Sequence, residues 1–142
     1  SDPSNLAHVT ISTPLSTFFE GIESTFASFI PDKWTKYDND NDGESWITRS
    51  AAIWAYQGNN YCRVLANTSN PNNDMLITPR LKIKNGKTFS FYTRTDASTK
   101  PLSVKLSTTG KAYADFTTNL LSVTSNTTYT QYSLDLRAYQ NQ

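Results

Sequence analysis

The loop Asp38-Asn39-Asp40-Asn41-Asp42-Gly43-Glu44 places three aspartates at alternate positions of a short turn-forming segment. Alternation turns their carboxylates to one side of a tight loop, and Gly43 permits the sharp bend that wraps a hard cation such as calcium. The first six positions match the opening of an EF-hand loop. The match ends there, because Arg49 stands where the bidentate Glu belongs and no helical pattern flanks the loop. The residues point instead to a β-type calcium loop, in which Asp38, Asp40 and Asp42 are completed by Glu20, Asp74 or Asp135 from distant strands. The expected cofactor is a structural Ca2+. The competing reading is a solvated loop whose Asp and Asn side chains bond their own backbone.

A second set is aromatic and amide-rich. Trp54 and Tyr56 share a face, the turn Gln57-Gly58-Asn59-Asn60 follows, and Tyr61 lies just beyond it. Aromatic planes suit the C–H faces of sugar rings, and Asn59, Asn60 and Arg63 supply hydrogen bonds for hydroxyls. Trp54, Tyr56, Tyr61, Asn59, Asn60 and Arg63 are therefore the candidate ligand-binding residues, with glycan as the expected ligand. The alternative places these rings in the core, which is the reading for Trp34 and Trp46, each set in a short apolar strand.

Catalysis has little to stand on. A glycosidase needs two carboxyls ~5–9 Å apart across a cleft, and no spacing brings Glu20, Glu23, Glu44 or Asp74 together. Ser-His-Asp chemistry would rest on His8, the single histidine, close to the N-terminus. Cys62 is the only cysteine, so an internal disulfide is impossible. It alternates with Val64 and Ala66 on one face and reads as a small buried hydrophobe. Thirteen basic and twelve acidic side chains give a net charge of +1 without a run of like charge. Nucleic acid and anionic membrane are thus not expected partners. No stretch reaches the ~18 apolar residues of a membrane span, and no signal peptide is visible.

These side chains have to be carried by strands. The chain holds 20 threonines, 16 serines and 13 asparagines, a bias towards strands and turns. The central stretch Asn73–Leu81 is a buried strand, with Pro79 expected to end it. Lys82-Ile83-Lys84, Asn85-Gly86 and Lys87–Arg94 read as a hairpin with the lysines on its solvent face. Further strands are expected at His8–Ile11, Lys33–Tyr37, Ser45–Thr48 and Asn60–Ala66. Two more follow, at Leu102–Ser107, inward on Leu102, Val104 and Leu106, and at Gln131–Leu136, inward on Tyr132, Leu134 and Leu136. A weak helical spacing runs from Leu15 to Phe26. At 142 residues the chain supports one domain, residues 1–142, of which 1–14 form a leader and possible edge strand. The fold class is all-β, a jelly-roll β-sandwich of two antiparallel sheets.

Several stretches in this order carry a family resemblance. They are Phe19-Glu20-Gly21, Asp32-Lys33-Trp34-Thr35 with the acidic loop and Trp46, and Asn73–Pro79. Thr88-Phe89-Ser90-Phe91, Val104–Thr108 and Gln131–Tyr139 follow. Across residues 18–139 the chain resembles the choice-of-anchor J and cleaved-adhesin domains, jelly-roll modules similar to MAM domains in secreted and surface proteins of Bacteroidetes-type bacteria. The resemblance implies an extracellular or outer-surface accessory module that binds or spaces, that holds structural calcium in several relatives, and that sits beside adjacent domains. Two departures stand out. Met75 occupies a place usually aromatic, and family members continue past the Leu134-Asp135-Leu136 strand. Either the segment around Val9 fills that place or an edge stays open to a neighbouring domain or chain. Three functions are in play: a non-catalytic module binding carbohydrate, a structural spacer or protein-adhesion domain, and, least supported, a glycosidase.

Overall fold

The computed structural model describes residues 5–10, 20–25, 27–65, 72–84 and 87–140. Its strands are β1 (Asn5–Thr10), β2 (Thr35–Asp38), β3 (Ile47–Ser50), β4 (Asn60–Arg63), β5 (Asp74–Arg80), β6 (Thr88–Thr93), β7 (Lys100–Ser107), β8 (Thr118–Ser125) and β9 (Thr130–Asp135). Single-turn 3-10 helices lie at Tyr113–Asp115 and Arg137–Tyr139. A five-stranded sheet runs in the order β2-β5-β1-β7-β8, and β3-β4 and β6-β9 form two-stranded sheets. The all-β expectation holds, and every pairing is antiparallel except those of β1. Among the described residues no helix is long and apolar enough to cross a membrane.

The sandwich closes where inward positions of β7 meet those of β6 and β9. Leu106 packs with Leu81, Ile83 and Leu136, and Phe89, Leu120 and Leu134 pack around them. The expected inward triplet Leu102, Val104 and Leu106 is buried. β5 is buried on both faces because its second face has its own cover. Met75 and Ile77 pack against Phe116, with Tyr37 and Tyr113 beside them, so the connection after β7 acts as a lid on that side.

Four local readings change. First, Pro79 does not end β5. The ladder with β1 steps from His8–Ile77 to Thr10–Arg80, so a bulge at Thr78-Pro79 absorbs the missing donor and the strand continues. Second, Asn85-Gly86 of the expected hairpin lies outside the described residues, and the expected partner strand is not paired with β6: the Lys87 N–H donates to the Lys84 carbonyl at 3.2 Å, but β6 pairs with β9 along its length and residues 81–84 carry no ladder. Their alternation is real in burial, with Leu81 and Ile83 inside and Lys82 and Lys84 exposed. Third, β8 went unread. Its Leu120-Leu121 doublet breaks the two-residue period, and the ladder with β7 skips Leu120, a bulge that restores the alternation.

Fourth, the N-terminal strand is not at an edge. β1 lies between β5 and β7, parallel to both. Residues 1–4 and 11–14 of the expected leader lie outside the described residues. So does most of the helical spacing at Leu15–Phe26, whose described part, Glu20–Thr25, holds a turn from Ile22 to Thr25.

Candidate functional site

Two groups of polar and aromatic side chains stand out from this frame. The first is built where β2 ends and β5 begins. Asp38 and Asp74 face each other across the antiparallel ladder, which brings residues far apart in sequence to one point. The Asp38 carboxylate accepts the backbone N–H groups of Asp42 (3.2 Å) and Gly43 (3.0 Å), drawing the loop into a ring. Asn41 (φ 54°) and Gly43 (φ 85°) take the left-handed backbone that this ring requires. Asp42 Oδ1 accepts the Glu44 N–H at 2.8 Å. Asp40 Oδ2 accepts the Asn73 N–H at 3.2 Å, and the Tyr113 hydroxyl donates to Asn73 Oδ1 at 2.9 Å. The loop thus bonds its own backbone while other oxygens of the same acids stay uncommitted.

Asp38, Asp40 and Asp42 each place an oxygen within 4.8 Å of the others. Four buried carboxylate oxygens have no hydrogen-bond partner: Asp40 Oδ1, Asp42 Oδ2 and both oxygens of Asp74. Asp74 is fully buried, and burial, reinforced by the charges of Asp40, Asp38 and Asp42, pushes its carboxyl up to about 7. Uncompensated buried carboxylates are costly, and an all-oxygen anionic group is the donor set that calcium takes. The residues present fit that ion. Glu20 and Asp135 are not drawn into this group. Glu20 Oε1 accepts the Ile22 N–H at 2.6 Å. Asp135 ends β9 on a different sheet, exposed and paired with Arg137 at 2.5 Å. Of the three acids expected to complete the loop, Asp74 is the one that the β2–β5 register places beside Asp38.

The second group lies on the loop between β3 and β4. Three residues from an earlier segment, Ile22, Glu23 and Thr25, fix that loop. The Glu23 carboxylate accepts the N–H groups of Asn59 (3.0 Å) and Asn60 (2.9 Å). The Asn60 amide donates at 3.2 Å to the carbonyls of Ile22, Glu23 and Thr25. Gly58 (φ 73°) has the Glu23 carboxylate where a Cβ would stand. Gly58→Ala therefore meets both a left-handed backbone and a clash, and is expected to cost about 2 kcal/mol, or about 7 °C in melting temperature. An unchanged melt would show that Glu23 does not hold the loop.

On this support Trp54 and Tyr56 meet residues from β6 and the approach to β9. Tyr56 stacks on Tyr92, with ring centroids 3.6 Å apart and planes 15° from parallel. Its hydroxyl pushes the Tyr92 phenol up. Tyr56 also meets Tyr129 edge-on at 5.3 Å, and the Tyr129 hydroxyl donates to the Trp54 carbonyl at 2.6 Å. The rings hold one another in place yet stay open, with Trp54 39%, Tyr56 51% and Tyr92 40% exposed. Core burial, the alternative for Trp54 and Tyr56, is thereby overturned.

The other expected ligand residues fare unevenly. Tyr61 is half-buried; burial pushes the Tyr129 phenol up, and the nearby Tyr61 adds to that rise. Asn59 is exposed, whereas the Asn60 amide is spent on the three carbonyls and is better read as scaffold. Arg63 is half-buried on β4, with Nε buried and unpaired. Sequence reasoning passed over Tyr92, Arg94 and Tyr129. The available signal was Tyr92, a large ring on the outward phase of β6, where Phe89 and Phe91 point inward.

Cys62 faces the Thr48 hydroxyl at 3.7 Å, and burial pushes its thiol up to about 11. Iodoacetamide at pH 8 is expected to leave the native thiol unmodified and to label it fully in denaturant. Rapid native labelling would show that the β3–β4 pair opens.

A stacked-sheet module that presents rings and an acidic loop from its connections is, as a class, a binding or spacing domain. The chain belongs to the Cleaved Adhesin Domain family, whose sequence model matches residues 18–141. Among solved structures it is similar to the K1 cleaved adhesin domain of Lys-gingipain from Porphyromonas gingivalis W83. The two are 27% identical, with a TM-score of 0.69 over 85% of this chain and 81% of that one. No curated protein matches the chain. Cleaved adhesin domains belong to surface-associated bacterial proteins, and membership makes this chain an adhesion or structural module.

Proposed function

We propose that this domain is a non-catalytic adhesion module, working outside the cell or on its outer surface, whose ligand is carbohydrate. The observation that carries this reading is the open cluster of Trp54, Tyr56 and Tyr92, three exposed rings braced by Tyr129. Rings fixed before the ligand arrives lose little entropy on binding, so stacking energy is retained as affinity. Asn59, at the rim, supplies hydrogen bonds to hydroxyls. Glu20 and Glu23, two of the acids a glycosidase would draw on, are committed to backbone N–H groups, which favours binding over hydrolysis. On a glycan array the domain should retain a defined set of sugars, and Trp54→Ala should weaken them about thirtyfold. Binding indifferent to Trp54→Ala would remove the reading.

A second reading, a spacer or protein-adhesion domain beside other domains of a larger surface protein, is favoured by Ile53 and Phe29. These apolar side chains are 80% and 67% exposed. An array with no bound glycan, together with capture of a protein partner lost in Ile53→Asp, would establish it.

The acidic loop has a separate role in this proposal. Asp38, Asp40 and Asp42, with oxygens within 4.8 Å of one another, and Asp74 beside them hold a structural calcium, on the strength of the four buried, unpartnered oxygens of Asp40, Asp42 and Asp74. Calcium supplies the positive charge that these carboxylates lack. The residues themselves close the 38–44 ring and tie it, through Asp40 and Asn73, to the start of β5.

A further inference from the structure

Arg94 lies just after β6, inside the aromatic cluster. Its guanidinium carbon is 4.8 Å from the Trp54 ring centroid and 5.6 Å from that of Tyr129, so two rings fix the plane of the cation. Its Nε donates to the Thr95 carbonyl at 3.3 Å, which leaves the two Nη groups for other partners. Among the described residues Arg94 forms no ion pair; the ion pair there is Asp135–Arg137, at the far end of β9. The Tyr129 hydroxyl is already committed to the Trp54 carbonyl. Among the described residues the cluster therefore presents a half-buried positive charge beside partly exposed rings, without an ion pair of its own.

We propose that Arg94 makes this surface selective for sugars that carry a carboxylate, the class of the uronic and sialic acids. The inference rests on the carbohydrate reading above and adds the charge of the ligand to it. The exposed outer side of the stacked Tyr56–Tyr92 pair takes the sugar ring, and the Nη groups of Arg94 take the carboxylate in the two-pronged arrangement that a planar guanidinium allows. A lysine at this place would carry the charge without the fork or the stacking, so the residue type matters as well as its sign.

The experiment compares methyl β-D-glucuronide with methyl β-D-glucoside, which share a ring and differ in a carboxylate against a hydroxymethyl group. Titrations followed by NMR at Trp54 and its neighbours give both affinities. The glucuronide is expected to bind about tenfold more tightly, and the ratio is expected to shrink with added salt. In Arg94→Gln the ratio should fall to near one, and in Arg94→Lys it should lie between. Equal affinities in the wild type, or a preference that survives Arg94→Gln, would overturn the proposal while leaving the carbohydrate reading in place. If neither glycoside binds and the glycan array is also blank, the carbohydrate reading itself fails and this inference with it. A melting curve of each variant shows whether a lost preference reflects lost folding.

Discussion

Calcium added to the metal-free domain should raise its melting temperature by about 9 °C at about a hundred times the dissociation constant. Binding to the folded form alone stabilises it by about 2.7 kcal/mol at that excess, and a domain of this length shifts by about 3.4 °C per kcal/mol. The reason lies in Asp74, fully buried with both oxygens unpaired and three further acids around it. Its charge is unfavourable in the apo fold and compensated in the loaded one. The sign with pH follows. Asp74 has a folded value of about 7, above its ordinary value, so its protonation stabilises the apo fold fully in acid, and that stability is lost as pH rises through 7. Saturating calcium reverses the slope, because the ion takes the deprotonated carboxylates. Asp74→Asn should flatten the apo slope and remove most of the calcium response. Asp135→Asn, in a residue paired with Arg137 on another sheet, should leave the response intact. No shift with calcium or chelator would leave the 38–44 loop as a turn held by its own backbone.

Leu106→Ala should cost about 3 kcal/mol, a fall of about 10 °C in melting temperature. Leu106 is almost completely buried and sits where the five-stranded sheet meets β6 and β9, against Leu81, Ile83 and Leu136. Truncation removes apolar area from both layers and leaves a cavity that rigid strands on either side cannot collapse to fill. A conservative Leu106→Met should cost less than about 1.5 kcal/mol. An alanine variant that melts like the wild type would mean that the two layers do not share this core.

The fold was legible wherever the period of two ran unbroken. Leu102, Val104 and Leu106, and Tyr132, Leu134 and Leu136, announce β7 and β9 directly. It failed where a bulge resets the period, as at Leu120-Leu121 in β8 and at Thr78-Pro79 in β5, because an extra residue on one strand is invisible without its partner. The expected partner of β6 was misread for a related reason. A turn dipeptide states that the chain bends, whereas the partner of β6 is decided by the Phe89–Leu134 and Phe91–Tyr132 pairs across the sheet.

The acidic loop was readable because Asp38, Asp40 and Asp42 are local in sequence. Choosing Asp74 over Glu20 and Asp135 required the β2–β5 register. The aromatic cluster splits the same way: Trp54 and Tyr56 share one loop, while Tyr92, Arg94 and Tyr129 reach them from the other sheet.

The central claim is that ligand meets this protein on the Trp54 face. The three tryptophans, Trp34, Trp46 and Trp54, give three separate indole N–H signals in an NMR spectrum of the domain. Titrating in a glycan retained on the array should move the Trp54 indole and the amides around Tyr56, Tyr92 and Tyr129, while the half-buried Trp34 and Trp46 stay fixed. Shifts centred on Trp34 or Trp46 with Trp54 unmoved would contradict the account.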